Sequence, residues 1–206
     1  MKVSVSFFKA RKIKKILTSL NQTSADFIHV DVADKKFVKT KSDPFWKLDL
    51  YQNLYRDKRL DVHLMVEDPL KYIKKYARLD TNYISFHVEV NKDIDSLIDL
   101  IHEMDIKAGL AISPSTPLYN LEPYLDKIDL IILMGVEPGL SGQTFIKETC
   151  KRLKDLKKMV KNKNILITVD GGINKETKGL VKDADILVSS SYVLSGDYEE
   201  RIKSLK

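Results

Sequence analysis

The sequence predicts an α/β fold in which eight parallel strands close into one barrel, with a helix after each strand. Short runs rich in β-branched and aromatic residues alternate with longer amphipathic segments, and this alternation recurs eight times in 206 residues. That length suits a single (β/α)₈, or TIM, barrel, because such barrels start at roughly 200 residues. An open doubly wound sheet would have five or six strands and a glycine-rich first turn, which this sequence lacks. We therefore expect one barrel domain over residues 1–206.

Each predicted strand is an apolar or alternating run that ends at a turn. In chain order the strands are Lys2–Phe8, Phe27–Val32, Leu60–Val66, Tyr83–Val88, Ala108–Ile112, Leu130–Val136, Ile165–Asp170 and Ile186–Ser190. The segments between them carry apolar residues at helical spacing. They predict helices over residues 10–21, 44–56, 69–77, 93–104, 118–125, 143–161, 175–182 and 197–205.

Charge and composition argue against several classes of function. The 35 Lys and Arg residues give a net charge of +6, but they are spread along the chain rather than clustered as in a nucleic-acid interface. The longest apolar run, Leu130 to Met134, is far shorter than the roughly 20 residues of a membrane span. A single cysteine, Cys150, rules out an internal disulfide, and no signal peptide is recognisable. We expect a cytoplasmic protein that binds neither nucleic acid nor membrane, and whose positive charge suits an anionic small substrate.

Two histidines and two aspartates lie at the ends of predicted strands: His29, Asp31, His63 and Asp170. Because side chains alternate between the faces of a strand, these residues lie opposite their apolar neighbours. The active site of a (β/α)₈ barrel lies at the carboxyl ends of its strands, where these residues fall. Buried imidazoles and carboxylates that converge are typical ligands of a divalent cation. The pattern therefore predicts one metal site.

Asp31 and Asp170 also suggest proton transfer, since predicted strands two and seven can face each other across a barrel mouth. Two carboxylates on opposite sides of one carbon can remove a proton from one face and return another to the other face. Alternatives remain open for the single residues. Asp170 precedes Gly171-Gly172 and also suits a turn or a helix N-cap, whereas His29 alone suits a hydrogen-bonded core histidine.

Three late loops favour a phosphorylated substrate, because their small residues let backbone N–H groups approach an anion closely. These loops cover residues 137–143, 171–172 and 189–191. Met65 and Met134 lie on inner faces near strand ends. They are either core filler or an apolar wall that shields a carbanion-like intermediate from water.

Taken together, segments along nearly the whole chain resemble ribulose-phosphate 3-epimerases. These segments are Val3–Ser6, His29–Asp34, Asp61–Val66, Phe86–Glu89, Lys107–Ala111, Pro114–Pro117, Met134–Gly139, Val169–Asn174 and Ala184–Val188. The resemblance implies a metal-dependent barrel of the ribulose-phosphate-binding type. It also implies an isomerase of the pentose phosphate pathway that interconverts D-ribulose 5-phosphate and D-xylulose 5-phosphate through an enediolate. A homo-oligomer, dimeric or larger, is a further expectation from the family.

The resemblance also assigns roles. It matches the metal ligands to His29, Asp31, His63 and Asp170, and the acid/base pair to Asp31 and Asp170. The family's metal is usually zinc, with Fe²⁺, Mn²⁺ or Co²⁺ as substitutes. The residues expected to contact the substrate are Ser6, His63, Met65, Met134, Gly139, Leu140, Ser141, Gly142, Gly171, Gly172, Ser190 and Ser191.

Several positions depart from the family's pattern. Ala33 replaces a third methionine, Lys35 stands where the family has glycine, and Ser141 and Ser190 also replace glycines. A serine forced to positive φ at either of the last two positions would carry strain of about 1 kcal/mol. These departures leave open another ketose phosphate as substrate, such as D-allulose 6-phosphate. They also leave open a sugar-phosphate-binding barrel without turnover. His87 fits the family's pattern, and we expect it to make a structural hydrogen bond.

Overall fold

The computed structural model describes residues 1–8, 10–140 and 142–206, and within them eight parallel strands close into a barrel. A further two-residue strand, β3, pairs antiparallel with the end of β2. The strands are β1 Lys2–Ser6, β2 Phe27–Asp34, β3 Lys41–Ser42, β4 Arg59–Met65, β5 Thr81–His87, β6 Lys107–Ile112, β7 Leu130–Met134, β8 Leu166–Asp170 and β9 Ile186–Ser189. Strand β1 pairs with both β2 and β9, and these pairings close the barrel.

Helices connect the strands on the outside of the barrel. The α-helices are α1 Ile13–Asn21, α2 Phe45–Leu50, α3 Leu70–Tyr76, α4 Ile94–Glu103, α5 Thr149–Met159, α6 Ser191–Leu194 and α7 Tyr198–Leu205. The 3₁₀ helices are Gln52–Leu54, Leu118–Tyr124 and Lys178–Val181. Among the residues described, no helix is both long enough and apolar enough to cross a membrane.

The predicted barrel and its eight strands are confirmed, with each boundary displaced by two residues or fewer. The α-helical predictions over 118–125 and 175–182 are wrong, since the structure has 3₁₀ helices there. In the first, Pro123 has no N–H for an i→i−4 hydrogen bond. In the second, the Asn174 side chain accepts hydrogen bonds from the N–H groups of Glu176 and Thr177 and so favours a turn.

Two further helical predictions were too long. The segment 44–56 divides into α2 and a 3₁₀ helix, and the segment 143–161 becomes helical only from Thr149. The residues before α5 have another partner, because the N–H of Ile146 donates 2.8 Å to the carbonyl of Gly135 at the end of β7. The loop after β7 is thereby held against the mouth of the barrel. Helix α6 and strand β3 were not predicted, since four and two residues are too short for a periodic pattern.

Strand register places the polar residues at one level of the barrel. On the outer face of β2 and β4, side chains such as Val30, Val62 and Leu64 are fully buried under the helices. The alternate positions point inward and include the polar residues of the site. Asp31 on β2 lies beside His63 on β4, since the parallel pairing aligns these two residues. The alternation of faces that the sequence predicts is therefore what carries these groups into the barrel interior.

Lys35, directly after β2, has a φ of +68°. A residue with a Cβ is strained in this left-handed region by roughly 1 kcal/mol, whereas glycine is not. The N–H of Lys35 donates 2.9 Å to the carbonyl of Thr40, so this turn leads the chain into β3. Ser190, by contrast, has a φ of −118°, and the strain considered for that position does not arise. Ser141 lies outside the described residues.

Replacement of Lys35 by glycine should therefore stabilise the protein by up to about 1 kcal/mol. Urea denaturation would measure the free energy of unfolding. Lys39→Gly is the matched control, because Lys39 is exposed in the same turn without a positive φ and should lose stability. Equal losses in both variants would contradict the assignment of strain to Lys35.

Candidate metal centre and active site

Four side chains of β2, β4 and β8 form a compact cluster at the mouth of the barrel: His29, Asp31, His63 and Asp170. One nitrogen or oxygen from each lies within 4.8 Å of the others. Nε2 of His29 is 3.5 Å from Oδ1 of Asp31 and 3.5 Å from Oδ2 of Asp170. Nδ1 of His63 is 3.4 Å from the same two oxygens. The structure thus brings together the four residues that the sequence singles out.

The ring nitrogens that face the carboxylates are evidence that this cluster fits a cation. Nε2 of His29 and Nδ1 of His63 are buried and make no hydrogen bond within the part of the chain described. A buried nitrogen without a partner is costly, and a shared cation would satisfy both nitrogens together. Two imidazoles and two carboxylates suit zinc and the other first-row divalent metals. The cluster can therefore hold a divalent metal ion, and its identity is not fixed by these residues.

His29 is oriented from behind by a buried carboxylate. Its Nδ1 lies 2.8 Å from Oδ2 of Asp61, which also accepts a hydrogen bond of 2.9 Å from the Ser4 hydroxyl. Metal-binding histidines commonly donate their second ring N–H to a carboxylate in this way. The sequence interpretation missed Asp61. The signal was present, since Asp61 precedes His63 by two residues and so points to the same face of β4.

His63 is held by a second histidine instead. Its Nε2 lies 3.0 Å from Nε2 of His87, and Nδ1 of His87 lies 2.9 Å from Oε2 of Glu89. Burial would raise the pKa of Glu89, but hydrogen bonds from His87, Thr116 and Ser113 outweigh burial and lower the pKa to about 2. Burial and the charge on His63 lower the pKa of His87. His87 thus makes a hydrogen bond of the kind that we expected.

Without a metal, the carboxylates of the cluster favour the protonated forms of both histidines. Burial opposes a charge on His29, but the carboxylates of Asp61 and Asp31 outweigh burial and raise its pKa well above the usual value. The pKa of His63 is also raised, since the carboxylates of Asp170 and Asp31, each 3.4 Å from its Nδ1, outweigh burial. Burial would raise the pKa of both aspartates, yet the neighbouring histidines lower it. The aspartates are therefore carboxylates at neutral pH.

Most residues expected at the substrate site line one cavity of about 690 Å³ above this cluster. The Ser6 hydroxyl, 2.6 Å from Oδ2 of Asp31, is oriented by that carboxylate. Met65 and Met134 line the same cavity beside the aspartates. His63 is buried among the metal-facing groups. The remaining residues at the cavity wall are Gly139, Leu140, Gly142, Gly171, Gly172, Ser190 and Ser191, whereas Ser141 lies outside the described residues.

The two positions directly after β8 require glycine, because their backbone has positive φ and leaves no room for a Cβ atom. Gly171 and Gly172 have φ values of +109° and +70°. A Cβ on Gly171 would lie 2.4 Å from a methyl carbon of Val136, and one on Gly172 would lie 2.8 Å from Phe145. Both contacts are too short for real atoms, so only glycine brings this backbone so close to the loop after β7.

Sequence reasoning also missed cationic and polar residues at the cavity wall. Lys147 precedes α5, and Arg201 comes from α7 near the end of the chain. The guanidinium of Arg201 donates 2.8 Å to the carbonyl of Tyr192 and lies over the Tyr192 ring. Only tertiary packing brings α7 to the mouth of the barrel, so no local pattern indicates Arg201.

Comparison with known proteins agrees with the geometry. The sequence profile of the ribulose-phosphate 3 epimerase family matches residues 2–194. The ribulose-phosphate 3-epimerase of Bacillus subtilis is 37% identical over an alignment that covers 86% of this chain and 83% of that protein. The chloroplastic ribulose-5-phosphate-3-epimerase of Arabidopsis thaliana is 33% identical over an alignment that covers 99% of this chain and 75% of the relative.

Among solved structures, the barrel is similar to 3-keto-L-gulonate-6-phosphate decarboxylase from Vibrio cholerae. The two superpose with a TM-score of 0.75 over 99% of this chain and 94% of the other, at 11% sequence identity. The superposition supports the fold, and at such low sequence identity it carries no information on activity.

Cation binding should release protons, because a histidine must lose its proton before its nitrogen can bind a metal. His29 and His63 have raised pKa values in the metal-free protein, so their protonated forms stabilise the fold below pH ~6.5. That stabilisation is lost as the pH rises through the raised values, and zinc affinity should rise over the same window. Titration calorimetry in two buffers of different ionisation enthalpy should detect the release of at least about one proton per zinc ion at pH 7. Binding without proton release would contradict this account of the cluster.

Proposed function

This chain belongs to the ribulose-phosphate 3 epimerase family, and from that premise we propose that it interconverts D-ribulose 5-phosphate and D-xylulose 5-phosphate. The observation that carries the proposal is the pair of ring nitrogens that face Asp31 and Asp170 at the floor of the cavity and have no hydrogen-bond partner among the described residues. The cavity is large enough for a pentose phosphate, since ligand pockets of about 300–1,000 Å³ hold small molecules.

Asp31 and Asp170 are the proposed proton carriers. Both are carboxylates at neutral pH and both open to the cavity, with side chains 10% and 14% exposed. One takes the proton from C3 of the ketose, and the other delivers a proton to the opposite face, which inverts C3. A divalent cation held by His29, Asp31, His63 and Asp170 would withdraw charge from the substrate oxygens as the enediolate forms.

The other cavity residues orient the substrate and exclude water. The Ser6 hydroxyl, directed at Asp31, is placed to contact the sugar hydroxyls. His63 is fully buried and does not line the cavity, so its contact with the sugar stays a prediction from the family resemblance. Met65 and Met134 cover the planar intermediate and keep water from protonating it. The backbone at Gly142, Gly171, Gly172, Ser190 and Ser191 is the proposed phosphate site, together with Gly139 and Leu140 at its rim.

Several finer expectations stay predictions. These are zinc as the resident metal ahead of iron, manganese or cobalt, a location in the cytoplasm, a homo-oligomeric state, and the absence of a nucleic-acid partner. The net charge of +6 and its even spread still favour an anionic small substrate over a polyanion.

Proton NMR of the zinc-loaded protein with D-ribulose 5-phosphate in D₂O tests the proposal. We expect deuterium at C3 together with D-xylulose 5-phosphate. Turnover of D-allulose 6-phosphate without reaction of the pentulose would show that the substrate is the hexulose phosphate. Binding of both sugars without exchange at C3 would identify a barrel that has lost catalysis.

Asp170→Asn should lower kcat by about 10²–10⁴-fold, since an amide cannot carry the proton. A coupled assay for xylulose 5-phosphate would measure kcat, with bound zinc counted in the same samples. Asp183→Asn makes the same chemical change at an exposed position and should leave the rate unchanged. Wild-type turnover in Asp170→Asn would refute the role of Asp170.

A further inference from the structure

Two side chains, His87 and Glu89, extend in series from the ring nitrogen of His63 that does not face the carboxylates. Nε2 of His63 lies 3.0 Å from Nε2 of His87, and Nδ1 of His87 lies 2.9 Å from Oε2 of Glu89. Both imidazoles are fully buried. We call Glu89, His87 and His63 the relay. Of these three residues, only His63 has a role in the proposed function.

Hydrogen-bond chemistry leaves one arrangement of protons in the relay. A carboxylate only accepts, so Nδ1 of His87 must carry the proton that it donates to Glu89. A neutral His87 then has a lone pair on Nε2, which can only accept. The nitrogen opposite, Nε2 of His63, must donate to it. A neutral His63, the form that can bind a cation, is then left with a lone pair on Nδ1, and this is the nitrogen that faces Asp31 and Asp170.

We propose that Glu89, acting through His87, is a positioning residue that fixes His63 in the tautomer whose Nδ1 can bind a divalent cation. The proposal rests on the metal centre of the proposed function and extends it to two residues outside the ligand set. The two ligand histidines are then oriented by different devices. Asp61 holds His29 directly, whereas His63 is set by a carboxylate one imidazole further away.

The backbone fixes which oxygen of Glu89 serves the relay. Oε1 of Glu89 accepts a hydrogen bond of 2.8 Å from the N–H of Ser113, so Oε2 is the oxygen that faces His87. The carbonyl of Ser113 in turn accepts a hydrogen bond of 3.1 Å from Arg152 of α5. The ring of Phe37 lies 4.7 Å from the His87 ring and covers it. The carboxylate is thus held in one orientation.

Glutamine in place of Glu89 should reverse the direction of the hydrogen bonds in the relay while it keeps the size of the side chain. In Glu89→Gln the amide oxygen takes the place that accepts from Ser113, and the NH₂ group faces Nδ1 of His87. His87 would then be protonated at Nε2 and would accept at Nδ1. His63 would receive a hydrogen bond at Nε2 and carry its own proton on Nδ1, where the cation should bind. Cation binding must reverse this arrangement and leave two donors facing each other.

The first test uses the unaltered protein loaded with zinc alone. Long-range ¹H–¹⁵N NMR spectra distinguish a protonated imidazole nitrogen from an unprotonated or metal-bound one. We expect His63 to be protonated at Nε2 and zinc-bound at Nδ1, and His87 to be protonated at Nδ1. Protonation of His87 at Nε2, or ligation of His63 through Nε2, would overturn the proposal without affecting the metal centre. A protein that binds no zinc would overturn both.

The second test measures zinc affinity by competition with a chromophoric chelator, and folding by the melting temperature. Glu89→Gln should lower zinc affinity by about 10–100-fold. Glu103→Gln, which removes the same charge at an exposed position on α4, should leave affinity unchanged. In a His87→Phe background, Glu89→Gln should have no further effect, because the link to His63 is already broken. Wild-type affinity in Glu89→Gln would overturn the proposal, and so would an equal loss in both backgrounds.

Discussion

The site depends on the balance of charge among two imidazoles and two carboxylates that meet within 4.8 Å at the mouth of a parallel barrel. Each group alone would be expensive to bury. Together they form a cage in which two ring nitrogens face two carboxylates without a hydrogen-bond partner among the described residues. Protons on the imidazoles or a divalent cation can satisfy this cage, and only the cation leaves both ring nitrogens unprotonated. The metal binding and the proton transfer that we propose would thus use one electrostatic arrangement.

The barrel supplies the rigidity that this arrangement requires. Parallel pairing sets Asp31 beside His63, and the apolar residues at alternate positions anchor the same strands under the helices. Glycines after β8 let the backbone approach the loop after β7, which in turn is tied to Gly135. The aspartates therefore project from fixed strands into a cavity whose wall includes Gly171 and Gly172. A rigid floor would suit the proposed acid/base chemistry, and glycine backbone in the wall would suit an anion.

Strand periodicity accounts for what the sequence could predict. Apolar alternation located the strands, and it placed His29, Asp31, His63 and Asp170 on inward faces at the correct end of a barrel. It could not show which groups stand behind them, because Asp61 and His87 reach their partners across neighbouring strands, and such pairs depend on register. The two segments that form 3₁₀ helices were predicted as α-helices because their apolar residues recur at a similar spacing. In Leu118–Tyr124, Pro123 favours the 3₁₀ form because it has no N–H to donate. Arg201 reaches the cavity only through the packing of α7.

Anomalous diffraction from zinc-loaded crystals would locate the cation in this cluster. We expect one strong peak at about 2.0–2.2 Å from Nε2 of His29, Nδ1 of His63 and the carboxylates of Asp31 and Asp170. We also expect the rings of His29 and His63 to keep the orientation that Asp61 and His87 give them. A peak held by other residues, or crystals that bind no zinc at this cluster, would contradict the assignment of these four ligands.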